Sequence, residues 1–272
     1  MIEKIYKTNR GDIHYWTNEI NGKMPTLAFL PGLTASHRLF DKQVQHFEDK
    51  YNVFVWDAPG HGASRPFTLN FSLKDKATYL HEILEFEEIE EPIMVGQSMG
   101  GYLAQCYMQN FPDSLTGFIS IDSATLKRKY ISGAELWLLK RTNLIYRPYP
   151  WKSLLKTGAR GVAETEQGQK LMHDMMQEYT KDDYCDLVIH GYKILAEAIE
   201  ENLAYDIDCP CLLLCGEKDK AGSTKRYNRK WSREEGLPIA WIKNAGHNSN
   251  TDEPKLISQI IEDFVIKHAQ IL

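Results

Sequence analysis

Short apolar runs alternate with amphipathic stretches along most of the chain. The runs predict strands over 26–30, 51–56, 92–95, 116–121, 211–215 and 238–242. Residues spaced for one apolar face predict helices over 38–48, 72–87, 99–110, 222–235 and 254–268. Strands without polar alternation, separated by helices of about three turns, are typical of right-handed βαβ units. The pattern therefore predicts an α/β fold with a mostly parallel, twisted sheet flanked by helices.

The two ends of the chain add detail to this pattern. Alternating residues on either side of a turn at 9–12 predict a strand pair over 2–17. The last helix carries six apolar residues at helical spacing, and we expect them to form its packing face: Leu256, Ile257, Ile260, Ile261, Phe264 and Val265.

Residues 126–205 interrupt the alternation of strands and helices. This segment shows several helical patterns, no strand pattern, and many large side chains, among them Trp137, Tyr146, Tyr149, Trp151, Met172, Met175, Met176, Tyr179 and Tyr184. It predicts an all-helical insertion, with a core built from 1–125 and 206–272. The large side chains either line a substrate pocket or form a small core of the insertion, and the sequence leaves both open.

Composition excludes several classes of protein. The chain has 272 residues, of which 43% are hydrophobic and 25% charged, so disordered and fibrous classes are excluded. A net charge of −5 argues against nucleic acid as the main partner, because phosphate binding needs clustered positive charge. No apolar run approaches the roughly 20 residues that span a bilayer, and no signal peptide is evident. Five sparse cysteines argue against a disulfide framework, so we expect a cytoplasmic protein.

Three of these cysteines, Cys209, Cys211 and Cys215, share one face of a predicted strand. That spacing is compatible with a metal site. Zinc sites, however, usually take paired ligands from turns together with a second pair elsewhere, and the sequence shows neither. We therefore expect buried cysteines in a core strand.

The most informative motif is Gly96-Gln97-Ser98-Met99-Gly100-Gly101, which lies between an apolar strand and a helix. It matches Gly-x-Ser-x-Gly, a sharp turn that lifts a serine hydroxyl above the sheet. Glycines two residues before and after the serine remove Cβ atoms where the backbones crowd together. We expect Ser98 to be a nucleophile at a helix N-terminus, where free N–H groups favour an oxyanion.

A serine hydroxyl needs a base within hydrogen-bond reach. Of the nine histidines, His247 is the best placed, in a small polar loop directly after the last predicted strand. The third member should be a carboxylate that orients the imidazole, and Asp219 follows the strand 211–215. Two other carboxylates compete for this role, Asp122 after the strand 116–121 and Glu217 beside Asp219.

These motifs together resemble the α/β-hydrolase superfamily, in the compact group with a helical cap. The resemblance covers almost the whole chain and adds two segments, Leu30-Pro31-Gly32-Leu33 and Asp57-Ala58-Pro59-Gly60-His61-Gly62. It implies that the oxyanion is held by the backbone N–H groups of Leu33 and Met99, and that Asp57 and His61 support their turn. Many relatives have His-Gly where this chain has Pro31-Gly32, a change that leaves a backbone donor in place.

The prediction is thus a hydrolase of the carboxylesterase type that acts on a small or medium ester or thioester and needs no metal or organic cofactor. A ligand-binding protein that kept the fold is a rival interpretation, and so is a carbon–carbon bond hydrolase with the same triad. The sequence also contains a cluster of basic residues, Lys127, Arg128, Lys129, Lys140, Arg141 and Arg147. This cluster either steers an anionic substrate, such as a coenzyme A thioester, or forms a solvated surface.

Overall fold

An eight-stranded sheet forms the centre of the computed structural model, which describes residues 1–269. The strands are β1 (Ile2–Thr8), β2 (Gly11–Thr17), β3 (Thr26–Leu30), β4 (Asn52–Trp56), β5 (Ile93–Gln97), β6 (Gly117–Ile121), β7 (Cys211–Gly216) and β8 (Ile239–Ile242). Their order across the sheet is β1-β2-β4-β3-β5-β6-β7-β8. The β1–β2 and β2–β4 pairs are antiparallel and all other pairs are parallel. The mostly parallel sheet predicted from the apolar runs is confirmed.

The four central strands, β3 to β6, are buried along their whole length. This follows from helices covering both faces of a parallel sheet, which removes the polar alternation expected of a half-exposed strand. The edge strand β1 instead alternates between exposed and partly buried residues. The carboxyl ends of the parallel strands all reach one edge of the sheet, where connecting loops gather.

The helices agree with the predicted ones outside 126–205, with two differences. They are α1 (Asp41–Phe47), α2 (Leu73–Phe86), α3 (Met99–Asn110), α4 (Gly133–Leu139), α5 (Asn143–Tyr146), α6 (Trp151–Val162), α7 (Glu166–Gln177), α8 (Lys181–Glu201), α9 (Thr224–Glu235), α10 (Ser249–Asp252) and α11 (Pro254–His268). The helix predicted over 38–48 is divided into a 3₁₀ turn, His37–Phe40, and α1. The single-turn helix α10 was not predicted, because four residues carry too little periodicity to detect.

Local sequence explains where several helices begin and end. Ser72 caps α2 by accepting a hydrogen bond from the backbone of Asp75, whose side chain accepts one in return. Pro254 occupies the first turn of α11, where its missing N–H costs nothing. Asn202 ends α8 in the left-handed conformation, with φ of 48°.

The predicted packing face of α11 is wrong at one position. Ile257, Ile261, Phe264 and Val265 are buried, but Leu256 is 44% exposed. The buried residues follow i, i+4, i+7 and i+8, which is one stripe of a helix. Leu256 lies one residue before that stripe and points away from the core. Ile260 is partly buried at its margin.

The segment 126–205 contains α4 to α8 and a 3₁₀ turn, Arg128–Tyr130, and within the described chain it contains no strand. Its large side chains divide between two environments. Met175 and Tyr179 are buried in the core, whereas Trp137 is 55% exposed. In residues 1–269 we find no helix with the length and apolar character needed to cross a membrane.

The cysteine prediction holds only in part. Cys215 is fully buried at the end of β7, but Cys209 and Cys211 are only partly buried, and Cys209 precedes the strand. The strand begins at Cys211 because Pro210 has no backbone N–H to donate to a neighbouring strand. All five cysteines are free thiols.

Candidate active site

Ser98 lies in a strained turn between β5 and α3. Its φ of 49° and ψ of −114° are unusual for a residue with a side chain, and its backbone N–H donates to the carbonyl of Ile121 at 2.9 Å. A Cβ atom on Gly100 would overlap the carbonyl of Leu30, and one on Gly96 would overlap the backbone of Gly100. The two glycines of the motif are therefore required by close backbone contacts, as the sequence predicted.

The structure brings the three predicted side chains together. His247 Nε2 lies 2.8 Å from Ser98 Oγ, and His247 Nδ1 lies 3.0 Å from Asp219 Oδ2. Asp219 is only 2% exposed, and its other oxygen accepts a hydrogen bond from the N–H of Ala221 at 2.7 Å. These contacts place one imidazole between a serine hydroxyl and a buried carboxylate, as expected for the predicted triad.

The environment of His247 has two opposing effects on its pKa. Burial of the ring disfavours the imidazolium, but the hydrogen bond to Asp219 and the charges of Asp219 and Asp122 favour it. The second effect dominates, and the pKa of His247 is raised above its ordinary value.

The two competing carboxylates do not bond to His247. Asp122 is fully buried, and its two oxygens accept hydrogen bonds from the N–H groups of Gly216 at 2.7 Å and Ser249 at 2.9 Å. It therefore ties the strand that leads to Asp219 to the loop that follows His247. Burial raises the pKa of Asp122 to about 7, against the opposing effect of His247. Glu217 is exposed to solvent.

Asp122, Cys215 and Asp219 bring their potential ligand atoms within 4.8 Å of one another. Each carboxylate is already bonded, Asp122 to two backbone N–H groups and Asp219 to His247 and Ala221. Burial, and then the two nearby carboxylates, raise the pKa of the Cys215 thiol, which therefore stays protonated. Both carboxylates of this donor set are thus already engaged in hydrogen bonds, and that of Asp219 faces an imidazole.

Two backbone N–H groups beside Ser98 have no acceptor. In the described part of the chain, neither the N–H of Leu33 nor that of Met99 donates a hydrogen bond to protein. Met99 is the first residue of α3, so its N–H cannot be satisfied within the helix. Gly32 abuts the nucleophile turn, since a Cβ there would lie 3.1 Å from the Cβ of Ser98. The loop predicted to hold the oxyanion therefore lies against the serine.

No role was expected for Gln97, but it contacts the loop that carries His247, residues 243–248, which we call the histidine loop. Its side chain is 2% exposed, and Nε2 donates to the carbonyl of His247 at 2.9 Å and to Oδ1 of Asn248 at 3.2 Å. The residue that precedes Ser98 thus holds the backbone of His247 in place. No sequence signal marks this contact, because it joins residues 150 positions apart.

Asp252 is a second residue that sequence reasoning missed. Its carboxylate accepts hydrogen bonds from the N–H groups of Gly246 at 2.8 Å and Thr165 at 2.8 Å, and from Glu164. In addition, the N–H of Asn248 donates to the carbonyl of Val162 at 2.7 Å. The histidine loop is therefore bonded to the connection between α6 and α7.

The turn after β4 agrees with its expected supporting role. Asp57 is fully buried and accepts hydrogen bonds from the N–H groups of His37 at 2.5 Å and Ala63 at 2.6 Å. His61 Nδ1 bonds to the carbonyl of Pro59 at 3.0 Å, and burial lowers the pKa of His61 well below its usual value. Neither side chain bonds to Ser98, Asp219 or His247.

A cavity of about 320 Å³ lies over Ser98 and His247. The loops of the sheet form its floor, and α5 to α8 form its walls through Ile145, Tyr146, Leu154, Thr157, Gly158, Val162, Met172, Met176, Tyr184, Val188 and Tyr192. The large side chains of 126–205 therefore serve in both of the ways that the sequence left open, some in the core and others around the cavity.

The cluster of basic residues noted in the sequence does not line this cavity. Lys127 and Lys129 pair with Glu235, while Lys140 pairs with Glu200 and Arg147 with Asp186. Arg128 bonds to the carbonyl of Ile131, and Arg141 stacks on the ring of Trp137. Substrate steering by this cluster is therefore not supported, because acidic residues distant in sequence neutralise much of it.

Comparison with known proteins agrees with the fold. Residues 25–254 match the family model of the alpha/beta hydrolase fold. The chain is 25% identical over 245 residues to 3-oxoadipate enol-lactonase 2 of Acinetobacter baylyi, covering 88% of this chain and 87% of that protein.

Solved structures show the same architecture. An esterase from Thermogutta terrifontis superposes with a TM-score of 0.79 at 18% identity, over 98% of this chain and 99% of that one. Est816, an N-acyl homoserine lactone degrading enzyme, superposes with a TM-score of 0.78 at 17% identity, over 96% and 100% of the two chains. With the family model matching most of its length and the mostly parallel sheet in place, this chain belongs to the α/β-hydrolase fold family and is a hydrolase.

Proposed function

We propose that this hydrolase cleaves a small or medium carboxylic ester, or a thioester, through an acyl-enzyme on Ser98. The observation that carries the proposal is the pair of contacts made by His247, at 2.8 Å to Ser98 Oγ and at 3.0 Å to Asp219. One imidazole in contact with both a hydroxyl and a buried carboxylate can take the serine proton and remain stabilised while it carries it.

In the first half of the reaction, Ser98 Oγ attacks the carbonyl carbon while His247 Nε2 takes its proton. The carbonyl oxygen becomes an oxyanion, which the N–H groups of Leu33 and Met99 bind because they have no other acceptor within residues 1–269. The tetrahedral intermediate then expels the alcohol or thiol, which leaves with the proton from His247.

In the second half, water attacks the acyl group on Ser98. His247 removes a proton from the water, a second tetrahedral intermediate forms, and the serine oxygen leaves as it regains a proton from His247. The carboxylic acid departs and the enzyme returns to its starting state. The chain's own residues thus supply each proton transfer and each charge that the reaction requires.

We further infer that the segment 126–205 is a cap over a core of 1–125 and 206–272. Four of its helices contribute side chains to the cavity over Ser98. Its α6–α7 connection also bonds to Asp252, and the carbonyl of Val162 at the end of α6 accepts from the N–H of Asn248 in the histidine loop. A cap in this position would exclude water from the bound ester and orient it.

The proposal is tested by steady-state hydrolysis of a panel of p-nitrophenyl esters of increasing acyl length. We expect Ser98→Ala and His247→Ala to lose about 10⁴-fold or more in kcat, while Ser98→Ala still binds the ester. Ser123→Ala is the matched control, because Ser123 is 1% exposed, lies beside the nucleophile turn, and its hydroxyl has no partner among the described residues.

Wild-type activity in Ser98→Ala would contradict the assignment of the nucleophile. Equal losses in Ser98→Ala and Ser123→Ala would show that disturbance of the turn, and not loss of a nucleophile, stops the reaction.

A further inference from the structure

Apart from His247, the wall of the cavity over Ser98 is uncharged. Among the residues of 1–269 that line it, none is Lys, Arg, Asp or Glu, and His247 is bonded to Ser98 and Asp219. The remaining polar groups are hydroxyls and amides, and the rest of the wall is apolar, with Leu154, Met172 and Val188 among its members.

Three tyrosines supply much of the polar character of this wall. Burial raises the pKa of Tyr146, Tyr184 and Tyr192 above the ordinary phenol value. Their hydroxyls therefore stay protonated at physiological pH and are neutral hydrogen-bonding groups. They carry no positive charge that could pair with an anion.

None of the cations of 126–205 lines the cavity. Lys140 and Arg147 are in addition held in ion pairs by Glu200 and Asp186. An acyl group that ends in a carboxylate would have to lose hydration without gaining a cationic partner, which is unfavourable in a largely apolar site.

Building on the proposed esterase function, we propose that this cavity selects esters with an uncharged acyl group and rejects esters that carry a second anionic group. The cavity volume of about 320 Å³ lies at the lower end of ligand sites, which fits an acyl group of small or medium size. Apolar walls with a few hydroxyl donors suit an alkyl or aromatic chain that bears at most a neutral oxygen.

The test compares three p-nitrophenyl esters with the same acyl backbone: hexanoate, the adipate half-ester with a free carboxylate, and the methyl ester of that half-ester. We expect kcat/KM for the free carboxylate to be roughly 100-fold or more below that for hexanoate. The neutral methyl ester should stay within about tenfold of hexanoate, which separates charge from length.

A cation placed at the cavity should reverse part of this selectivity. Thr157 lies on α6, is exposed, and lines the cavity, so Thr157→Lys adds a charge without burying it in the core. We expect it to raise the ratio of kcat/KM for the free carboxylate over hexanoate roughly tenfold at low salt, and less at high salt. Ser153→Lys is the matched control, one turn earlier on α6, exposed and outside the cavity.

The outcomes separate this inference from the proposed function. Equal hydrolysis of all three esters, with Ser98→Ala inactive, would overturn the selectivity and leave the proposed function standing. If no ester is turned over, the proposed function fails, and binding to Ser98→Ala still decides the inference. Thermal stabilisation of that variant by methyl hexanoate but not by monomethyl adipate would support an uncharged ligand, and equal stabilisation would overturn it.

Discussion

Gln97 offers a direct test of how the base is held in place. Its Nε2 donates to two oxygen acceptors on the histidine loop, the carbonyl of His247 at 2.9 Å and Oδ1 of Asn248 at 3.2 Å. The substitution Gln97→Glu keeps the shape of the side chain but replaces the donor with a carboxylate oxygen. Three oxygen atoms would then face one another in a buried site, and the histidine loop must move away.

The expected magnitude follows from these two hydrogen bonds. Each neutral bond contributes about 1 kcal/mol, and a buried carbonyl left without a donor adds a further cost, so Gln97→Glu should destabilise the fold by about 2–4 kcal/mol. For a domain of this size, that corresponds to a fall in Tm of about 5–15 °C. A displacement of His247 by about 1 Å should lower kcat about 10- to 100-fold, with a smaller change in KM.

Gln105→Glu is the matched control. Gln105 is also fully buried, and its Nε2 donates to the carbonyls of Gly101 at 3.0 Å and Ala124 at 2.7 Å, away from the histidine loop. We expect a similar loss of Tm but a kcat within about threefold of wild type, with both variants assayed well below their Tm. An unchanged kcat in Gln97→Glu, or equal kcat losses in the two variants, would refute the argument that Gln97 positions His247.

Three further predictions concern charge and packing. The imidazole of His247 acts as a base only when the pH lies above its raised pKa. In a pH–rate profile, kcat/KM should therefore fall as the pH is lowered, with a midpoint above about 6.5. Asp122→Asn removes a carboxylate that favours the imidazolium, so the midpoint of this fall should move to lower pH. Asp57→Asn is the control, because Asp57 is equally buried but lies outside the site, and it should leave the midpoint in place. In urea unfolding, Ile257→Ala should lower the free energy of unfolding by about 2–5 kcal/mol, and Leu256→Ala by no more than about 0.5 kcal/mol. Equal losses in the two variants would contradict the observed packing face of α11.

The elements of the fold could be predicted because the signals that specify them are local. The apolar run at Thr26–Leu30 and the helix at Met99–Asn110 have the predicted bounds, and the strands β4, β5, β6 and β8 each begin one residue later than predicted. Hydrophobic periodicity and turn residues act within a single element, so one sequence carries them. The same holds for the motif around Ser98, whose glycines are explained by contacts within the turn and with β3.

The remaining features depend on contacts between distant parts of the chain. The burial of α11 was predicted to include Leu256, but only the orientation of the helix on the core decides which apolar residues are covered. The sequence left open whether the cluster of basic residues steers a substrate or is a solvated surface, because its partners Glu235 and Glu200 lie far along the chain. Gln97 and Asp252 act on the histidine loop through hydrogen bonds that no local pattern reveals.

The central claim is that Ser98 is a nucleophile activated by His247, and covalent labelling tests it most directly. The wild-type chain, Ser98→Ala and His247→Ala would each be incubated with a fluorophosphonate, and the adduct would be located by peptide mass spectrometry. The account predicts one adduct per wild-type chain, on the peptide that contains Ser98, none in Ser98→Ala, and greatly slowed labelling in His247→Ala. An adduct on another residue, or undiminished labelling of Ser98→Ala, would contradict it.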